Sequence, residues 1–205
     1  MAKKQANLKK TIRQLAYAMV ESVDETTGKI TYGEIKYLSL LTGGREWDSD
    51  PVGDSMEVDA DGYSVYSEDQ NGGYDITLTT VAASDNIETD WYGKQEDSDG
   101  ITEFADGKEW NHFALFIYED TTDGVGIINF FGDCHIKQRN GDSGRTSEGG
   151  TFDPIFPEHT IACRPRLEDN FVMKKIKGKQ KLTSVPTITR ADAPEATSYI
   201  NSEDE

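Results

Sequence analysis

The stretch His112-Phe-Ala-Leu-Phe-Ile-Tyr118, followed by Glu119-Asp-Thr-Thr-Asp-Gly124 and then Val125-Gly-Ile-Ile-Asn-Phe-Phe131, decides the fold class. Two strand-length apolar runs, rich in aromatic and β-branched residues, flank a polar loop that ends in glycine, as a β-hairpin requires. The apolar residues are consecutive instead of alternating, so both faces of this hairpin are expected to be buried.

Upstream of it, Ser84 caps a short helix that runs through about Tyr92, with Ile87 and Trp91 on one face and Gly93 stopping it. Tyr74–Val81 alternates as a strand after the turn at Gly72-Gly73, and Tyr63–Tyr66 has weaker strand character. In Tyr74–Val81 the positions between buried residues, such as Thr77 and Thr79, are expected to be more exposed, as is Glu34 elsewhere. Near the beginning, Leu8, Ile12, Leu15 and Met19 fall at helical spacing, while Leu15, Tyr17 and Met19 also alternate with Ala16, Ala18 and Val20 as in a two-faced strand. The loop Asp24-Glu25-Thr26-Thr27-Gly28 and the apolar run Ile30–Leu41 favour a hairpin, with strand from about Leu15. Residues 42–62, 94–111 and 139–153 read as polar, turn-rich loops, and Thr160–Arg164 as a last core strand. Trp47, in the middle of the first long loop, would expose a large apolar surface unless a partner covered it.

Composition agrees with a turn-rich β protein. Hydrophobic residues make up 35%, and the chain holds 19 glycines and 10% aromatics, a mixture unlike that of a helical bundle. The formal net charge is −17, unevenly spread. Residues 1–13 carry five bases and no acid, 14–163 carry 31 acids and eight bases, and 164–205 carry eight bases and seven acids. Such an acidic body repels phosphate, which excludes a nucleic-acid-gripping module. The expected organisation is therefore a basic arm over 1–13, a β domain over 14–165 and an extended, partly disordered arm over 166–205. No apolar run approaches the ~20 residues of a membrane span. With Cys134 and Cys163 the only cysteines and no secretory pattern, the plain reading is a cytosolic chain with reduced thiols.

Two constellations could carry metal chemistry. Glu57, Asp59 and Asp61, with Gly62 and Glu68, match a calcium-loop template, in which oxygen ligands at alternate positions curl round a hard cation. Glu stands where Asp is wanted first, Ser64 replaces the usual aliphatic anchor, and neither flank is an amphipathic helix, so a turn into a strand is the preferred reading. Cys134, His135, His159 and Cys163 lack zinc-site spacing, and read as core cysteines and structural histidines. No nucleophile elbow, phosphate loop, dinucleotide fingerprint or zinc-protease motif occurs, and no cofactor or enzymatic role is expected.

The order of these features resembles the major tail (tail-tube) proteins of long-tailed bacteriophages infecting Gram-positive bacteria. The resemblance rests on the strand Leu15–Val20, an acidic hairpin loop, Thr31-Tyr-Gly-Glu34, a long loop leading to Asp59-Ala-Asp61-Gly62, the strand Tyr74–Thr79, the helix ending Trp91-Tyr-Gly93, and His112–Phe116 opening the second hairpin. It covers roughly residues 12–165. It implies a mainly β, sandwich-like tail-tube fold with one short flanking helix and a long inter-subunit loop, in which Arg45, Trp47, Asp48 and Asp50 contact a neighbouring subunit. Six copies would close into a ring, and rings would stack into a tube joined to other tail proteins at its ends. DNA would pass through the lumen without specific binding. The protein would be assembled in the host bacterial cytoplasm and found in the virion tail, with no membrane association. The alternative is a monomeric calcium-dependent adhesion or carbohydrate-binding β-sandwich, using the 57–68 segment and aromatics such as Trp47 and Trp110.

Overall fold

The computed structural model describes residues 8–60, 63–105, 111–139 and 154–189, with only the backbone described for 55–60 and 63–69. The fold is mainly β. In chain order the strands are β1 (Lys9–Val23), β2 (Ile30–Tyr32), β3 (Lys36–Tyr37), β4 (Gly44–Val52), β5 (Ser55–Ala60), β6 (Tyr63–Asp69) and β7 (Gly73–Thr80). After helix α1 (Asp85–Asp90) come β8 (Gln95–Asp97), β9 (Gly100–Thr102), β10 (Phe113–Thr121), β11 (Ile127–Gln138), β12 (Glu158–Arg164) and β13 (Met173–Lys177). Nine strands form the main sheet in the order β2-β1-β10-β11-β12-β7-β4, with β3 beside β1 and β13 beside β11. β5–β6 and β8–β9 are separate hairpins.

The hairpin expected at 112–131 is β10–β11, and it sits at the centre of the sheet. Phe113, Leu115 and Ile117 enter one core and Ala114, Phe116 and Tyr118 the other, so both faces are buried. β1 lies against β10 and divides the same way, Leu15 and Tyr17 to the first core and Ala16 and Ala18 to the second. The period of two therefore wins over the helical spacing. β1 begins at Lys9 and not near Leu15, because β10 runs on through Glu119-Asp120-Thr121 and pairs with Lys9–Ile12. Lys9, Lys10 and Arg13, expected on a free basic arm, thus belong to a strand; residues 1–7 lie outside the described ones.

The sheet curls over the first core. Trp47, on the β4 end, packs edge-on against Phe131 of β11 with ring centroids 6.1 Å apart. Gly44 of β4 lies so close to Leu15 of β1 that an added Cβ would stand 2.9 Å from Leu15 Cδ1. This wrapping gives the sandwich-like arrangement its interior. One end is closed by α1, which follows Ser84 as expected, with Gly93 at φ +66° beyond it. Trp91 stacks on Phe113 at 4.5 Å, and the Tyr17 hydroxyl donates to Asp90 Oδ2 at 2.6 Å.

The second core is covered by the chain after Arg164. β13 pairs with the first half of β11, and Phe171, Ile176, Leu182, Val185 and Ile188 pack on Phe116, Tyr118, Ile128 and Phe130. The strap beyond β13 is held by the Tyr37 hydroxyl, which donates to Leu182 O at 2.7 Å, and by Leu182 N–H, which donates to the Tyr118 hydroxyl at 3.2 Å. Residues 166–189, expected to leave the domain as an arm, are therefore part of its packing. The lysine-rich composition hid apolar positions spaced too widely to read as a strand. Residues 190–205, including Pro194 and the acidic Glu203–Glu205, lie outside the described ones.

Two other readings differ. The run Ile30–Leu41 is broken into β2, β3 and a 3-10 turn over Leu40–Thr42. The expected loop over 42–62 instead holds β4 and the hairpin strand β5. β4 escaped notice because it is an edge strand whose inward positions, Trp47 and Ser49, include only one large apolar side chain. The turn before β7 does need glycine: Gly73 has φ +101°, and a Cβ there would meet Cys163 O at 2.1 Å. The loop over 140–153 and Trp110 lie outside the described residues.

Candidate interaction surface

β4 pairs with β7 along one edge, and among the described residues its other edge has no strand partner. Successive side chains of a strand point to opposite faces. Trp47 shares its face with Leu78 of β7, which is fully buried, so this face is inward. Glu46, Asp48 and Asp50 alternate with it and are exposed, as is Arg45. Beside them on β7, Asp75, Thr77 and Thr79 are partly exposed, as the alternation of that strand requires. Burial alone would push the Asp75 carboxyl up, but hydrogen bonds from Lys137 and Arg164 outweigh it and hold it below the usual range. Among the described residues Glu46, Asp48 and Asp50 have no ion-pair partner. They form an acidic row on an open edge.

The four residues expected to form a contact are thus divided. Arg45, Asp48 and Asp50 face outward, and the Arg45 guanidinium lies 3.8 Å from the Phe156 ring centre. Trp47 turns inward. Its Nε1–H donates to Glu119 Oε1 at 3.0 Å, and Lys9 Nζ sits 4.5 Å over its ring. The other Glu119 oxygen accepts from Asn129 Nδ2 at 2.6 Å and pairs with Lys9 Nζ at 2.8 Å. Glu119 is 6% exposed, so its charge is tolerable only because these donors surround it. Its own chain leaves the tryptophan half-buried.

The segment matching a calcium loop runs as two paired strands. Glu57 stands opposite Ser67, Asp59 opposite Ser64, and Glu68 opposite Met56. That backbone is extended where a calcium loop must curl; Asp61 and Gly62 lie outside the described residues. Cys134 and Cys163 face each other across β11 and β12, both fully buried. His135 points to the opposite face, where its ring lies 5.0 Å from that of His112. His159 is apart from both, with Nδ1 2.9 Å from the Tyr92 hydroxyl and Nε2 3.3 Å from the Thr80 hydroxyl. Among the described residues no group of three or more potential ligands gathers for a metal ion.

The basic cluster divides as well. Lys174, Lys175 and Lys177 are exposed on β13, which among the described residues pairs only with β11. Lys179 Nζ pairs with Asp120 at 3.0 Å, and Lys181 Nζ lies 4.6 Å over the Tyr37 ring. Sequence reading missed the Glu119–Trp47–Lys9–Asn129 network altogether. A signal was available: a carboxylate following the apolar run Phe113–Tyr118 in a continuing strand needs donors from elsewhere. No helix among the described residues is long and apolar enough to cross a membrane. Compared with known proteins, the chain matches no family model and no curated protein.

Proposed function

We propose that this chain is a structural, non-catalytic subunit that assembles with copies of itself into stacked hexameric rings, forming the tail tube of a long-tailed bacteriophage. The observation that carries the reading is the acidic edge of β4, which among the described residues has no strand partner and lies at the end of a curled sheet that packs Trp47 against its own core. An open edge is a template for joining another copy, and a row of carboxylates on it limits that joining until the right partner arrives. The resemblance adds support: the segments that carry it include parts of strands β1, β2, β7 and β10 and the turn that follows α1. The segment it treats as a long inter-subunit loop corresponds here to β4 and the β5–β6 hairpin.

In this reading carboxylates presented to the lumen repel the phosphate backbone, so DNA slides past without adhering. Arg45, Asp48 and Asp50 are the residues of the expected contact that remain available to a neighbouring copy, while Trp47 holds β4 in place from within. Electron microscopy of the concentrated purified protein tests the proposal. Tubes or stacked rings are the expected result. A monomer at every concentration, with a melting midpoint raised by calcium, would favour the adhesion module instead.

A further inference from the structure

We infer that Cys134 and Cys163 are a latent cross-strand staple: a dithiol that oxidises to a disulfide between β11 and β12 and locks the two halves of the main sheet together. The inference is independent of the proposed function. The two residues are direct partners in the antiparallel ladder, and both side chains lie in the first core. Opposite residues in such a ladder have Cα atoms about 4.5 or 5.5 Å apart, and a disulfide accepts roughly 4.4–6.8 Å, so the bond needs no large backbone movement.

The place of the pair in the sheet gives the bond its effect. Along the strand order, β11–β12 is the one ladder that joins β12-β7-β4 to β2-β1-β10-β11 among the described residues. β11 also shifts register on both sides of this pair, at Phe113/Leu115 against β10 and at Ile136/Gln138 against β12. A covalent link here stops the halves from separating. It also closes the loop between the cysteines, most of which the unfolded chain would otherwise be free to explore.

Both thiols are fully buried, and burial pushes the Cys134 thiol up, so neither is reactive while the sheet is closed. Oxidation therefore takes place during folding, or when β11 and β12 part. With a small disulfide such as oxidised glutathione as oxidant, one cysteine thiolate attacks it and releases one glutathione thiol. The second cysteine then attacks the mixed disulfide and releases the other. The protein loses two hydrogens, and the oxidant gains them.

The full chain, refolded from urea with and without oxidised glutathione, provides the test. Expected are an intact mass lower by two hydrogens, no alkylation of either cysteine after denaturation, and a peptide linking Cys134 to Cys163. The thermal midpoint should rise by about 5–10 °C and return on reduction, and Cys163→Ala should show no such rise. Glutathione adducts retained on the cysteines, disulfide-linked dimers, or a midpoint unchanged or lowered by the internal bond would each overturn the staple.

Discussion

His159 is the residue whose chemistry most directly couples this fold to pH. It is 3% exposed, wedged between Tyr92, Thr80 and the edge of Trp91, and burial lowers its pKa to about 4. An unfolded histidine titrates near 6.5, so between about 6.5 and about 4 the unfolded chain binds a proton that the folded chain refuses. Stability contributed by the neutral ring is present above about pH 6.5 and is lost as pH falls towards 4, by about 3 kcal/mol in all. Urea midpoints measured across this window should therefore fall with pH. His159→Gln, though less stable at neutral pH, should show a flatter profile, and an unchanged slope would assign the effect elsewhere. Trp47 carries the complementary lesson at this scale. Its isolation among Gly, Asp and Ser in the sequence suggested an outside partner, yet Glu119, Phe131 and Lys9, all distant in sequence, supply one internally.

Elements whose two faces are both apolar were legible in the sequence, since consecutive hydrophobic residues in β10, β11 and β1 admit few other readings. α1 was legible from a serine at its N-cap position and a stopping glycine, although the Ser84 side chain makes no capping hydrogen bond. β4 and β13 were not. Among the described residues each pairs along one side only, and charged residues that suit an exposed edge, Glu46, Asp48 and Asp50 or Lys174, Lys175 and Lys177, dilute the apolar signal. The strap after β13 was the least visible of all, having no regular hydrogen-bond ladder. It nevertheless seals the second core through Leu182, Val185 and Ile188. Ending the chain after Gly178 should therefore cost about 2–4 kcal/mol of stability, from roughly one half-buried aliphatic contribution per side chain. The truncated protein should also bind a hydrophobic dye at the uncovered Phe116–Phe130 face. Ending it after Thr189, which keeps the strap, should give a higher midpoint than ending it after Gly178. Equal midpoints for both truncations would show that the strap contributes no stability.

At the scale of the whole molecule, a net charge of −17 sets the terms on which copies would meet in the proposed assembly. Two opposing effects are built into the surface. Like charge repels copies from a distance, while the exposed lysines of β13 could pair with the acidic edge of β4 on a neighbour and attract at contact. Salt distinguishes them, because the screening length shrinks from about 10 Å at 0.1 M to about 3 Å at 1 M. If self-repulsion is the main barrier, as the excess of acid over base argues, added salt lowers the concentration needed for assembly. If attraction between β13 and β4 dominates, added salt raises it. We expect the first outcome, read by sedimentation or light scattering from about 50 mM to about 1 M sodium chloride. Replacing Asp48 and Asp50 together by Asn should then promote assembly at low salt and weaken its salt dependence. Assembly that weakens steeply with salt, or a double variant that assembles less readily than the parent, would place the control of assembly in attraction between edges and not in repulsion between bodies.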